Sequence, residues 1–92
     1  MIKIVINRDY GGFNLSDTAM HELRVRKGNS DLRHWEIARD DPDLIEIVER
    51  MGEAADGPYA ELMVVEIPDD VKWEIEEYDG KEWVAEVHRV WP

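Results

Sequence analysis

Between Val71 and Val87 the chain reads VKWEIEEYDGKEWVAEV, two alternating apolar and polar runs divided by Asp79-Gly80. This period-two pattern about a turn signal specifies a β-hairpin, because successive strand side chains face opposite ways. Loop length decides which residues share a face. A two-residue Asp79-Gly80 loop sets Glu76 opposite Trp83 and divides the large apolar residues between the two faces. A three-residue Tyr78-Asp79-Gly80 loop, with Gly80 left-handed in a G1 bulge, sets Ile75 opposite Trp83, Trp73 opposite Ala85 and Val71 opposite Val87, leaving one face apolar throughout. The second register is therefore expected. It turns Glu74, Glu76, Glu82 and Glu86 outward with Lys72, Val84 and His88, as a carboxylate-rich solvated face.

Upstream, Ile2, Ile4 and Ile6 alternate with Lys3, Val5 and Asn7, a β-branched run that reads as a central strand. After an Arg8–Gly12 loop, Ser16 is a good N-cap, Asp17 complements the helix dipole, and Leu15 and Met20 stand at the positions of a hydrophobic staple. A helix is expected from Asp17 to about Lys27, stopped by Gly28. Trp35 and Ile37 in LRHWEIAR, residues 32–39, suggest a short edge strand. Asp41-Pro42 opens a second helix to Met51, with Leu44, Ile47, Val48 and Met51 at helical spacing. ELMVVEI, Glu61–Ile67, is a further strand. The expectation is one α+β domain over 1–92, in the order β-α-(β)-α-β-β-β, with two helices on one face of a mixed sheet and a C-terminal hairpin.

Net charge is −11, and it is uneven: residues 1–46 carry nine acids and seven bases, residues 47–92 thirteen acids and four bases. Binding a phosphate backbone requires a basic surface, so direct nucleic-acid contact by the second half is disfavoured, while a basic protein partner fits. No run approaches the ~18 apolar residues of a membrane span, and the N-terminus lacks a signal-peptide layout, so a cytoplasmic protein is expected. The absence of cysteine excludes disulfides, thiolate nucleophiles and Cys-based metal sites.

His21, His34 and His88 stand in no spacing that aims two ligands at one metal. Ser16 and Ser30 lack a nucleophile setting and are better used as cap and turn, so the residues point away from an enzyme, and neither cofactor nor metal is expected. The strand–Gly11-Gly12–helix join is the candidate ligand site. Backbone N–H groups and the positive end of a helix dipole suit a phosphate or carboxylate there, although the glycines are only a fragment of the phosphate-loop patterns. Arg8, Tyr10, Gly11, Gly12 and Phe13 form this loop, Arg39 and Arg89 could add charge, and Trp91 could stack on a ring.

Tyr10–Ser16 (YGGFNLS), Arg39–Gly52 (RDDPDLIEIVERMG) and Val65–Trp91 (VEIPDDVKWEIEEYDGKEWVAEVHRVW) together resemble a family of small phage, prophage and bacterial proteins. That family has no established activity. The resemblance implies a phage-type accessory protein, some of which counter host defence. Val90, where the pattern carries Thr, and Arg8-Asp9 before Tyr10 depart from it. Two functional readings follow. One is a non-enzymatic protein that sequesters a small anionic, nucleotide-like ligand with Arg8, Tyr10–Phe13, Arg39, Arg89 and Trp91. The other is an acidic interaction module that inhibits a host nucleic-acid-binding protein by phosphate mimicry through Glu74, Glu76, Glu82 and Glu86. A homo-oligomer is compatible with either.

Overall fold

The computed structural model describes residues 1–87. The isoleucine run forms strand β1, Ile2–Asn7, which pairs antiparallel with β2, Leu62–Ile67, so that Ile2 opposes Ile67, Val5 opposes Val64 and Asn7 opposes Leu62. Both faces of this ladder are apolar. Val5, Leu62 and Val64 turn toward the helical core with Leu23, Leu44 and Ile47. Ile4 and Ile6, on the opposite face, are buried as well. Beyond Ile67 on that same face, a cavity of about 180 Å³ is shared with Val71, Trp73 and Val84, where the C-terminal hairpin adjoins the ladder.

The helices form where capping chemistry directs them. Helix α1 is Asp17–Lys27: the Ser16 Oγ accepts from the Ala19 N–H, and Gly28 at φ 63° sends its own N–H back to the Arg24 and Val25 carbonyls. Helix α2 is Pro42–Met51, where the Asp41 carboxylate accepts from the Asp43 and Leu44 N–H groups. Ala19, Met20 and Leu23 of α1 meet Leu44, Ile47 and Val48 of α2 in one buried cluster. At ~25 cal/mol per Å² of apolar surface, the larger of these, Met20, Leu23, Leu44, Ile47 and Val48, contribute roughly 1.5–3 kcal/mol each.

Three expectations are corrected. The hairpin consists of β3, Trp73–Tyr78, and β4, Lys81–Glu86, with Tyr78 opposite Lys81, Glu76 opposite Trp83 and Ile75 opposite Val84. The loop is thus the two residues Asp79 and Gly80, at φ 53° and 92°. Positive φ at both central positions matches the right-handed strand twist, and Asp-Gly supplies it at little steric cost. The three-residue loop with a G1 bulge does not form, and the shared apolar face is lost with it. Trp83 and Ala85 lie beside Glu74 and Glu76, whereas Trp73, Ile75 and Val84 share their face with Glu82 and Glu86.

Residues 32–39 form no strand. His34–Glu36 is a single 3₁₀ turn closed by the Glu36 carboxylate on the Arg33 N–H, which leaves Ile37 buried and Trp35 exposed. Lastly, the sheet is not mixed: it consists of two antiparallel pairs, β1–β2 and β3–β4. The α+β class and the order of the other elements stand as expected. Among the described residues β1 is flanked by a strand on one side alone, and its second edge meets Arg39 and Glu82.

Candidate functional site

The edge of β1 facing away from β2 sets the geometry of the whole C-terminal half. Backbone groups of alternate residues point outward at a strand edge and need partners when buried. The Val5 N–H donates to the Arg39 carbonyl at 2.8 Å, and the Asn7 N–H donates to the Glu82 Oε1 at 2.7 Å. The Arg39 guanidinium clamps the same carboxylate with both terminal nitrogens, at 2.6 and 2.8 Å, and lies 3.6 Å from the Phe13 ring centroid. Glu82 is only 6% exposed. Burying a carboxylate is tolerable when it is paired and fully hydrogen-bonded, as this one is. Asn7, wholly buried, ties in the turn: its Nδ2 donates to the Asp9 and Gly80 carbonyls, and its Oδ1 accepts from the Asp9 and Glu61 N–H groups.

The glycine loop lies over this junction. A Cβ on Gly80 would fall 2.4 Å from the Tyr10 carbonyl oxygen and 2.8 Å from the Gly12 nitrogen, and one on Gly11 would fall 2.2 Å from the Tyr59 Cβ. Gly11 and Gly80 are therefore needed for close packing of three loops, and Gly12, at φ 91°, for a left-handed backbone. Arg8 donates to the Glu82 carbonyl at 3.2 Å. The Asp9 carboxylate accepts from the Tyr10 N–H at 2.7 Å, and the Lys81 ammonium lies 5.7 Å from the Tyr10 ring centroid.

Of the residues expected to hold an anion, Arg8, Gly11, Gly12, Phe13 and Arg39 are thus brought to one place, but both guanidinium groups are turned onto Glu82 and Phe13 is buried. Tyr10 is exposed. Arg89 and Trp91 lie outside the described residues. The four expected outward glutamates separate: Glu74 and Glu76 share one face of the hairpin, Glu82 is the buried partner of Arg39, and Glu86 lies on the Glu82 face opposite Trp73.

Charge is segregated between the two halves of the molecule. Around the helices, Lys27 pairs with Asp41 and Asp43, Arg26 with Glu22, Asp43 and Glu46, Arg50 with Glu22 and Glu46, and Lys3 with Glu49. The Arg26 and Arg50 hydrogen bonds hold the Glu46 carboxyl below its usual range, and Arg50 does the same for Glu22; the Lys3 ammonium is held above its own by Glu49. Between Asp69 and Glu86 there are eight acids against Lys72 and Lys81. Among the described residues only two of those acids are in ion pairs, Asp69 with the N-terminal amine and Glu82 with Arg39. Glu74, Glu76, Glu77 and Glu86 are exposed. Glu76 accepts from the Trp83 indole at 3.0 Å, fixing an aromatic plate among the carboxylates, with Tyr78 exposed beside it.

The described residues hold no group of three His, Asp or Glu side chains arranged to take a metal ion, and no helix is long and apolar enough to cross a membrane. The chain matches no protein-family model, no curated protein and no solved structure. Sequence reasoning missed Asn7 and Tyr59. Asn7 ends an apolar strand, and a polar residue at that position signals a buried hydrogen-bonding role; Tyr59 carries no local signal.

Proposed function

We propose that the protein is a non-enzymatic interaction module that docks the basic surface of a nucleic-acid-binding protein through the Glu74, Glu76, Tyr78 and Trp83 face of its hairpin. The observation carrying this reading is the local charge balance: Arg26, Lys27 and Arg50 on the helices are engaged in ion pairs, whereas Glu74, Glu76, Glu77 and Glu86 of the hairpin are exposed and in no ion pair among the described residues. Same-face residues two apart on a strand are separated by about 6.6 Å, so Glu74 and Glu76 form a short linear array of negative charge. Trp and Tyr are the side chains that anchor interfaces, and Trp83 is already oriented by Glu76. Such an array presents to a nucleic-acid groove what a phosphate backbone would, and complementary charge speeds encounter and fixes register.

Sequestration of a small anion by the Tyr10–Phe13 loop is less well supported, because Arg8 and Arg39 would first have to leave Glu82. The resemblance to small phage and prophage proteins makes a host enzyme acting on DNA or RNA the class of partner to test, with counter-defence as one setting for the contact. The experiment is affinity capture from a bacterial lysate followed by binding measurements on the purified partner. The reading requires binding that weakens with salt, is competed by DNA or RNA, and falls about tenfold in the Glu74→Gln/Glu76→Gln variant. Full affinity in that variant rejects it.

A further inference from the structure

The fold treats its strand edges unequally. On β1 the outward N–H groups of Val5 and Asn7 are covered by Arg39 and Glu82. The outward edge of β3 carries Glu74, Glu76 and Glu77 within one strand, and like charges brought opposite one another oppose pairing. The outer edge of β2 has neither device. Val5 and Asn7 turn their N–H groups away from β2, so their partners Val64 and Leu62, and by alternation Glu66, turn their main-chain groups away from β1. The Leu62 N–H is taken by the Asp56 carboxylate at 2.9 Å. Among the described residues nothing pairs with the main chain of Val64 or Glu66. The strand reads LMVVEI, with one charge in six residues, and Met63 is 50% exposed.

We infer that the β2 edge is a self-association surface that takes a second copy of this chain, antiparallel about a two-fold axis at Val65. The available groups fix that register. Pairing Val64 with Glu66 of the second copy, and the reverse, uses four hydrogen bonds drawn only from those two residues. The ladder stops at both ends, where Leu62 of one copy meets Pro68 of the other: the Leu62 N–H is already occupied and Pro68 has no N–H. A register two residues shorter would set Leu62 opposite Glu66 and require that occupied N–H. In the chosen register Val65 faces its own copy, Met63 faces Ile67, and each Glu66 faces Val64 instead of another carboxylate. The isologous contact joins two β1–β2 ladders into one four-stranded sheet and buries the half-exposed Met63.

Because each chain carries a charge of −11, added salt screens the repulsion and strengthens this dimer, the opposite of the salt response of an acidic hairpin on a basic partner. Sedimentation equilibrium of the full chain from low to high salt is the test. A concentration-dependent dimer that tightens with salt is expected, and Glu66→Pro, which removes two of the four bonds, should raise its dissociation constant about 30-fold. Met63→Lys, which places a charge on the contact without touching the main chain, serves as a second variant; circular dichroism establishes that each remains folded. Directly opposed residues that do not share hydrogen bonds have Cα atoms about 4.5 Å apart, within disulfide reach. The chain has no cysteine, so Val65→Cys should cross-link to itself on mild oxidation and Glu66→Pro should suppress the cross-link. A monomer at every concentration and salt, or a dimer that both folded variants leave unchanged, overturns the inference.

Discussion

Removing the Glu82 carboxylate should be the most damaging single change in the C-terminal half. It accepts three hydrogen bonds, one from the Asn7 N–H and two from Arg39. Glu82→Ala leaves the Asn7 N–H without a partner at a buried strand edge, which costs about 1–3 kcal/mol. It also strands a guanidinium whose side chain is only 21% exposed. Breaking a fully buried pair costs roughly 3–5 kcal/mol, and partial access of water to Arg39 brings the combined loss to about 3 kcal/mol. For a domain of this size that lowers Tm by roughly 12–24 °C. Glu82→Gln keeps an oxygen for Asn7 but neither the charge nor the two-pronged acceptor, and should lose about half as much. Urea denaturation of the three proteins, with thermal melts alongside, measures both. A loss under about 1 kcal/mol for Glu82→Ala, the value of an exposed ion pair, would refute the assignment of Glu82 as the anchor of the hairpin.

Gly80→Ala should destabilise by at least about 2 kcal/mol, since it combines a left-handed backbone with a Cβ only 2.4 Å from the Tyr10 carbonyl oxygen; chemical denaturation checks this, and a neutral outcome would mean that the two loops do not touch. Burial pushes the Asp41 carboxyl up, but the Lys27 ammonium and the Leu44 and Asp43 N–H groups outweigh it and hold the folded-state pKa below the ordinary 3.8. A depressed pKa contributes stability that is present above the unfolded value and lost as pH falls through the folded one. Asp41→Asn should therefore cost stability at neutral pH and flatten the acid limb below about pH 4, read from denaturation midpoints between pH 2 and 7. Ser16→Ala should cost about 1 kcal/mol by the same denaturation assay, through loss of the Ala19 cap.

The helices were legible because their determinants are local. Ser16, Gly28, Asp41 and Pro42 each act within four residues of themselves, and the helices begin and end where those residues direct. The hairpin was legible as a hairpin but not in register. Maximising one apolar face is sound for a ribbon lying on a single core, yet here both faces carry aromatic side chains, and one must also deliver Glu82 to the edge of β1. A glutamate in an alternating strand reads as solvated, and its true partners, Asn7 and Arg39, are 75 and 43 residues away. The candidate anion loop illustrates the same difficulty. Arg8, Arg39 and the glycines do converge, but both guanidinium groups are taken by the protein's own Glu82, Arg8 on its main-chain carbonyl and Arg39 on its carboxylate. Trp35 and Ile37 suggested a strand by spacing alone, whereas Glu36 reaching the Arg33 N–H closes a turn instead.

The Gly80 turn seated beneath the Tyr10 loop has a consequence for how the molecule is made. The first strand emerges during synthesis long before either of its supports: β2 follows some sixty residues later, and Glu82 later still. Until the last hairpin has been synthesised, the Asn7 N–H and one Nδ2 hydrogen have only water in place of Glu82 and Gly80, and the junction cannot close. Contacts so distant along the chain slow folding, so the half-made polypeptide should hold its helices early and acquire its rigid acidic ribbon as the final event.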